Sequence, residues 1–139
     1  MTYAAPIAQA NHSKPSLDVN TLVEGIQACY DCAQACIADA DADLAEPQVQ
    51  TMIRCIRLCL DCSDVCLATG RILSRQTAFD PPTARAALQA CVQTCTVCGD
   101  ECEHHAHQGF AHCQTCMEAC RRCERACNAV LSSLASPVG

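Results

Sequence analysis

The chain has 139 residues and a formal net charge of −6, with nine Lys and Arg residues against 15 Asp and Glu residues. This acidic balance, without a basic cluster or interleaved aromatic residues, argues against nucleic acid as a partner. Cysteine contributes 16 residues, a fraction above the roughly 8–10% that marks a cysteine-built scaffold, and no apolar run is long enough to span a membrane.

Large apolar side chains are scarce in this sequence. Leu, Ile, Val and Phe together number 26, which is close to the roughly 20% below which an ordinary core becomes doubtful. We therefore expect cysteine, which packs as a small apolar group, to fill much of the interior. The N-terminal stretch has no basic region followed by an apolar run, so no secretory signal is predicted. Free thiols in a reducing cytoplasm are expected.

The first predicted elements are an arm and a long helix. Two prolines predict that residues 1–16 form an extended N-terminal arm. Helical periodicity begins after this arm, with Ser16 or Asp18 as the capping residue. The first helix is predicted over about 18–42.

Three further helices follow along the chain. Pro47 and Pro81 stand at favourable first positions of the second and third helices, and Asp80 is the predicted N-cap of the third. Gly109 separates the third helix from the fourth. These helices are predicted over about 47–76, 81–107 and 110–134.

The predicted architecture is all-α, because every long segment has a helical period. Short connections between long helices favour antiparallel neighbours. We therefore expect residues 17–135 to form one domain, an up-down-up-down antiparallel four-helix bundle with a cysteine-lined core.

The cysteines form one stripe on each predicted helix. The segment CVQTCTVCGDEC at 91–102 spaces four thiols by four, three and four residues, which places them on one helical face. The same period recurs on the other three helices, and all cysteines fall at a or d positions of a heptad. The sixteen candidate metal ligands are Cys29, Cys32, Cys36, Cys55, Cys59, Cys62, Cys66, Cys91, Cys95, Cys98, Cys102, Cys113, Cys116, Cys120, Cys123 and Cys127.

The two ends of the predicted core differ in chemistry. Extending each heptad beyond its last cysteine in one direction gives aliphatic side chains, which predict a closed plug. In the other direction the a and d positions carry polar or soft-ligand residues, which predict a mouth through which metal enters. The plug positions are Leu22, Leu73, Leu88, Val130 and Leu134, and the mouth positions are Asp39, Met52, His105 and Gly109.

Thiolates select soft or borderline metals, namely Cu(I), Zn(II) and iron–sulfur clusters. Cu(I) accepts two thiolates and permits bridging, so a load of about one Cu(I) or more per cysteine is feasible. Each Cu(I) also displaces one thiol proton, so filling the core adds little net charge to an interior where uncompensated charge is costly.

Two alternatives remain open from the residues alone. Four layers of four thiols would suit a zinc or mixed-metal buffer, although structural zinc ligands usually stand on turns. An iron–sulfur redox protein is the second alternative, but the sequence lacks the cysteine run and following proline of bacterial ferredoxins. We expect no catalytic step and no catalytic residue.

The four cysteine stripes and the turn DECEHHAHQGFAHC are similar to those of the copper storage proteins, in particular their cytosolic branch. The resemblance covers about residues 18–134. It implies a four-helix bundle whose inward cysteines hold many Cu(I) ions and which assembles as a homotetramer. It also implies metal-entry ligands at His104 or His105 and at Met52; Asp39 joins them from its place in the heptad.

A second apolar stripe predicts the oligomer contact. It runs beside the cysteine stripe on the first and second predicted helices, whereas the matching positions of the other two helices are polar. Such a stripe would leave an apolar patch on a monomer. Its members are Val19, Val23, Ile26, Tyr30, Ala33, Ile37, Val49, Ile53, Ile56, Leu60 and Leu67.

These patterns together predict a cytoplasmic protein that stores and detoxifies Cu(I). We expect it to take copper from chaperones or small thiols at the mouth and to shield the ions from water and oxidants.

Overall fold

The computed structural model describes residues 2–135, and this range contains helices but no strand. A short helix is followed by four long ones, and a single 3-10 turn at Val49–Thr51 lies between the first two long helices. None of the helices in this range is both long and apolar enough to cross a membrane. The helices are α1 (Ala4–Ala10), α2 (Val19–Leu44), α3 (Ile53–Ser74), α4 (Pro81–Ala106) and α5 (Ala111–Ala135).

The four long helices surround one core. Helix α2 packs against α3 and α5, and α4 packs against the same two helices, so each long helix has two neighbours. The all-helical class predicted from the periodicity is confirmed. The short helix α1 lies against α2, at the end of the core that the sequence identifies as the plug.

Local side chains fix where two of the long helices begin. The Asp18 carboxylate accepts a hydrogen bond from the backbone N–H of Thr21 at 2.9 Å, which caps α2. The Asp80 carboxylate does the same for Thr83 at 3.1 Å, and Pro81 follows at the first position of α4. Both caps satisfy backbone donors that have no partner within the helix.

The N-terminal arm is not extended, contrary to the expectation for residues 1–16. Residues 4–10 form α1, and Pro6 falls within its first turn, where a missing backbone N–H costs nothing. The segment AAPIAQA is rich in alanine, the best helix former, and Ala4 packs against the core. Packing and alanine content therefore outweigh the two prolines.

The predicted start of the second long helix at Pro47 is also wrong. Helix α2 continues to Leu44, and α3 begins only at Ile53. Hydrogen bonds between residues three apart, such as Thr51 N–H to Gln48 O at 2.8 Å, carry the chain through the reversal. The tight reversal places Met52 directly before α3 with its side chain completely buried.

The core consists of a long thiol section closed by an aliphatic end. Every cysteine is free, and each is at most 1% exposed. Next to the last thiols, Leu22, Leu73, Leu88 and Val130 are equally buried and make up the plug. Leu134, assigned to the plug from the heptad, is only half-buried and packs at its edge.

Candidate metal centre

The sulfur atoms of the sixteen cysteines form a continuous column inside the bundle. Neighbouring Sγ atoms on different helices lie in direct contact, for example Cys36 and Cys116 at 3.6 Å and Cys66 and Cys91 at 3.7 Å. Neighbours on one helix are as close, with Cys62 and Cys66 at 3.7 Å. A metal ion anywhere along this column therefore has several sulfur ligands within reach.

The thiols also group into sets of four whose Sγ atoms all lie within 4.8 Å of one another. The sets overlap, because Cys32 and Cys36 each belong to more than one of them. Shared members link one set to the next, so ions in adjacent sets would use bridging thiolates. One set consists of Cys29, Cys91, Cys123 and Cys127, and another of Cys59, Cys98, Cys102 and Cys116.

A buried carboxylate reaches into the column at the predicted mouth. Asp39 is 2% exposed, and its Oδ2 atom lies 3.4 Å from the sulfur of Cys59 and 3.6 Å from that of Cys102. Cys55 donates to the same oxygen at 3.9 Å. The heptad placed Asp39 at the mouth, and in the structure it is in contact with three thiols.

A second buried carboxylate, Asp43, is not among the residues predicted from the sequence. It follows Asp39 by one helical turn, lies on the same face of α2 and is completely buried. Its Oδ1 atom accepts from the Cys113 thiol at 3.6 Å, whereas Oδ2 has no hydrogen-bond partner among the described residues. Burial raises the pKa of Asp43. The i,i+4 spacing from Asp39 was the available signal, but it lies within an acidic run that resembles a solvated helix end.

His112 joins the two carboxylates, a role that the sequence analysis did not assign. Its Nδ1 atom lies 2.6 Å from Asp39 Oδ1 and 3.5 Å from Asp43 Oδ1, and its Nε2 atom lies 2.9 Å from Glu46 Oε1. Burial alone would lower the pKa of His112, but the hydrogen bonds to Asp39 and Glu46 raise it overall. His112 precedes Cys113, so the first turn of α5 brings the imidazole next to the column.

The other predicted mouth residues occupy different environments. His105 is 3% exposed, its Nε2 atom pairs with Glu101 at 3.1 Å, and its Nδ1 atom is buried without a partner in the described part of the chain. Met52 is completely buried, whereas His104 is exposed beside His105. Gly109 has a φ of 97° and forms the turn before α5 rather than filling the core.

Two thiols at the mouth, Cys55 and Cys113, hold their protons more tightly than an isolated thiol. The hydrogen bond with Cys102, together with burial, raises the pKa of Cys55 to about 11. The pKa of Cys113 is raised as well, first by its hydrogen bond with Cys55, then by burial and by the nearby Asp39 and Asp43. A metal ion that binds here must displace these protons, so binding releases acid.

A small cavity connects the mouth to solvent at the side of the bundle. It has a volume of about 260 Å³ and opens between α2 and α5. The small side chains of Ala35 and Ala38 leave this gap, and Asp39, His112 and Cys116 are among the residues that line it. An ion entering here would meet a carboxylate and an imidazole before its first thiol.

The chemistry of the whole arrangement is that of a reservoir for a soft cation. The column offers many sulfur ligands, and its described buried residues include no Lys or Arg to balance thiolate charge. A monovalent ion that replaces one proton per thiol leaves such an interior neutral.

The family profile described as "Csp: Copper storage protein" matches residues 18–132 of the chain. A solved Streptomyces lividans copper storage protein, Ccsp, loaded with 10 copper equivalents, is 44% identical and superposes with a TM-score of 0.90, covering 94% of this chain and 98% of that one. A five-copper structure described as a cytosolic copper storage protein from the same organism is 50% identical, with a TM-score of 0.79 over 81% of this chain and 93% of that one. The comparison with curated proteins gave no match.

Proposed function

The chain belongs to the copper storage protein family, and we infer from this membership that its cysteine column holds many Cu(I) ions as stored cargo in the cytoplasm. The column of buried sulfur atoms carries this conclusion, because most neighbouring Sγ atoms lie 3.6–4.0 Å apart and overlapping sets within 4.8 Å connect the two halves of the column. We propose all sixteen cysteines as ligands, with a capacity of about one Cu(I) or more per cysteine, because two-coordinate and bridged Cu(I) sites share thiolates.

We propose that Cu(I) enters at the mouth, where polar ligands precede the first thiols. Asp39, His105 and Met52 are the inner entry ligands, and the exposed His104 is the outermost one. His112 and Asp43 extend this set, because both lie against Cys113. From there ions pass inward by exchange between neighbouring thiolates. Copper chaperones or small thiols are the expected donors, and the proposal assigns no catalytic step to the chain.

We propose an up-down-up-down antiparallel arrangement of α2–α5, supported by the short connections and by the pairwise packing of the helices. We also propose a homotetramer that uses the apolar stripe on α2 and α3, the first and second long helices. Several members of that stripe are solvent-exposed on the single chain, at 49% for Ile37, 61% for Ile53 and 43% for Leu67. Burial of this face between subunits would remove a large apolar patch from water.

The storage function is tested by titrating the reduced chain with Cu(I) under anaerobic conditions against a competing chelator. Tight uptake that continues to about one Cu(I) or more per cysteine supports storage. Saturation after a few ions would contradict it, because discrete sites and not a reservoir would then be present.

The entry route is tested by the rate of uptake. His105→Ala and Met52→Leu should slow Cu(I) uptake while leaving the final capacity close to that of the unaltered chain, because no cysteine is removed. His12→Ala is the matched control, since His12 is exposed and lies in the segment before α2. Equal uptake rates in all three variants would show that copper enters elsewhere.

The oligomer is tested by sedimentation of variants with a charge on the stripe. Ile53→Lys combined with Leu67→Lys should dissociate the tetramer, because each lysine would have to be buried between subunits. Gln114→Lys places a single lysine on an exposed position of α5 and should leave assembly intact. A double variant that still sediments as a tetramer would exclude this face.

A further inference from the structure

The closed end of the column contains four sulfur atoms at the corners of a tetrahedron, and five of its six edges are direct Sγ–Sγ contacts. Its corners come from three helices, with Cys29 on α2, Cys91 on α4, and Cys123 and Cys127 on α5. Five of its edges measure 3.6, 3.7, 3.8, 3.9 and 3.9 Å between Sγ atoms. The remaining pair, Cys29 and Cys91, lies within 4.8 Å.

These edges match the dimensions of a tetrahedral tetrathiolate site. A Zn–S bond of about 2.3 Å in a regular tetrahedron places the sulfur atoms about 3.8 Å apart. Thiols in van der Waals contact have nearly the same spacing, so a divalent ion of this size would occupy the centre with little movement of the helices. All four side chains are completely buried and stand on long helices.

Two other sets of four thiols have fewer direct contacts between their sulfur atoms. In the set Cys32, Cys62, Cys66 and Cys95, direct contacts of 3.7–3.8 Å join only the last three. The set Cys59, Cys98, Cys102 and Cys116 has four direct contacts, at 3.6–4.0 Å. Among these three sets of four thiols, the closed-end set has the most direct Sγ–Sγ contacts, five. A mixed set at the mouth, made of Cys55, Cys59, Cys102 and Asp39 Oδ2, is as compact, with contacts of 3.4–4.0 Å, but it offers only three thiolates.

We propose that Cys29, Cys91, Cys123 and Cys127 form a binding site for one divalent ion with tetrahedral preference, of the Zn(II) class. This site adds a second kind of cargo to the proposed Cu(I) store. We expect one such divalent ion per chain and not a column filled with them, because each divalent ion bound by four thiolates leaves a buried net charge of −2. The surrounding core offers no buried Lys or Arg to balance that charge in the described residues.

Binding at this site is reversible by copper. Displacement forms Cu–S bonds as Zn–S bonds break, and the released Zn(II) returns to solvent. Cu(I) leaves the same thiolates neutral or bridged, so the charge argument favours the exchange. A chain that holds the divalent ion therefore remains able to store copper.

The proposal is tested with Co(II), which reports its geometry by visible absorption, and then with Zn(II) against a chromophoric chelator. The reduced full-length chain should take up one Co(II) with the intense visible bands of a tetrahedral tetrathiolate, and one equivalent of Zn(II) should abolish them. Cys91→Ser should remove the tetrahedral spectrum. It should also weaken Zn(II) binding by more than about 10–100-fold, because loss of a group that only supports a ligand already costs that much. Cys55→Ser removes a thiol at the mouth and should leave the Co(II) spectrum unchanged.

Cu(I) uptake by the same preparation separates this inference from the storage function. Normal Cu(I) uptake without tetrahedral Co(II) absorption would overturn the divalent site and leave storage intact. A tetrahedral spectrum that survives both Cys91→Ser and Cys127→Ser would also overturn it, because the ion would then be bound by other cysteines. Folding of each variant is checked by its helical circular dichroism.

Discussion

The two ends of the bundle differ in the polarity of their buried side chains. At the plug, Leu22, Leu73, Leu88 and Val130 are at most 1% exposed and carry no polar side-chain atom. At the mouth, buried residues include Asp43 and His105, each with a polar atom that has no partner in the described structure. The plug is built as an ordinary protein core, whereas the mouth leaves ligand atoms unused.

The plug therefore contributes mainly to the stability of the fold, and the mouth mainly to the binding of metal. Unpartnered buried polar atoms cost about 1–3 kcal/mol each, so the mouth lowers the stability of the fold. A metal ion could use Asp43 Oδ2 and His105 Nδ1, which gives those costs a functional reason. We therefore expect substitutions at the plug to affect unfolding more than copper capacity, and substitutions at the mouth to affect the path of copper.

The largest effect on stability is expected at Leu88. Leu88→Ala removes a completely buried side chain from the plug and should lower the free energy of unfolding by about 2–5 kcal/mol. The copper capacity should stay unchanged, since no thiol is altered. Chemical denaturation of the reduced, copper-free chain measures the first quantity, and Cu(I) titration measures the second.

Leu44→Ala is the matched control for this prediction. Leu44 ends α2 and is 62% exposed, so the same substitution should change the free energy of unfolding by about 0.5 kcal/mol or less. If both variants lose the same amount, the plug does not anchor the bundle and the thiol column itself must do so.

A smaller effect is expected where the plug is already filled. A methyl group at Gly25 would lie 2.8 Å from Val130 Cγ2, a stiff side chain that is completely buried. Gly25→Ala should therefore lower the free energy of unfolding by about 1–3 kcal/mol, although alanine is the better helix former. Denaturation under the conditions used for Leu88→Ala measures it.

Gly99 provides the comparison, because the nearest atoms to a methyl group there belong to the flexible guanidinium end of Arg121, at 2.8 Å. Arg121 pairs with Asp100 at 2.7 Å and is partly exposed, so it can move at little cost. Gly99→Ala should change stability by about 1 kcal/mol or less. A loss at Gly99 equal to that at Gly25 would show that backbone approach, and not the filled plug, sets the cost.

The helices and the column were predictable from the sequence because both follow from period. Cysteines at steps of three and four residues form one stripe on each helix, and the helices bury these stripes by turning them towards one another. The buried Asp39, Met52 and His105 continue the same heptads. The N-terminal helix and the late start of α3 were not predictable from these patterns. The N-terminal helix depends on packing, and the start of α3 depends on the hydrogen bonds of the chain reversal. Neither produces a periodic pattern in the sequence.

The mouth was only partly predictable for a related reason. His112 lies in the first turn of α5 beside the thiol stripe, and its contacts with Asp39 and Glu46 come from α2 and from the turn after it. Such a cluster exists only after the helices have packed. His104, in contrast, stands one residue from the heptad position of His105 and is exposed, although the two are neighbours in sequence.

The smallest expected effect is a pH dependence of stability that arises at the mouth. The folded-state pKa of His112 is raised above its unfolded value of about 6.5, so its contribution to stability is complete below that pH. The contribution is lost as pH rises through the folded pKa. The raised pKa of Asp43 acts in the same direction, because a buried carboxyl is favoured in its protonated form.

The free energy of unfolding of the reduced, copper-free chain should therefore fall as pH rises above about 6.5. The groups that face His112 are Asp39, Asp43, Glu46 and the Cys113 thiol. His112→Gln should flatten the dependence, whereas His12→Gln, at an exposed position outside the bundle, should leave it unchanged. Thiols of the unfolded chain titrate in both variants, so the difference between them isolates the mouth. Identical slopes would mean that His112 does not stabilise the folded mouth by holding a proton, and the carboxylates alone would then set its charge.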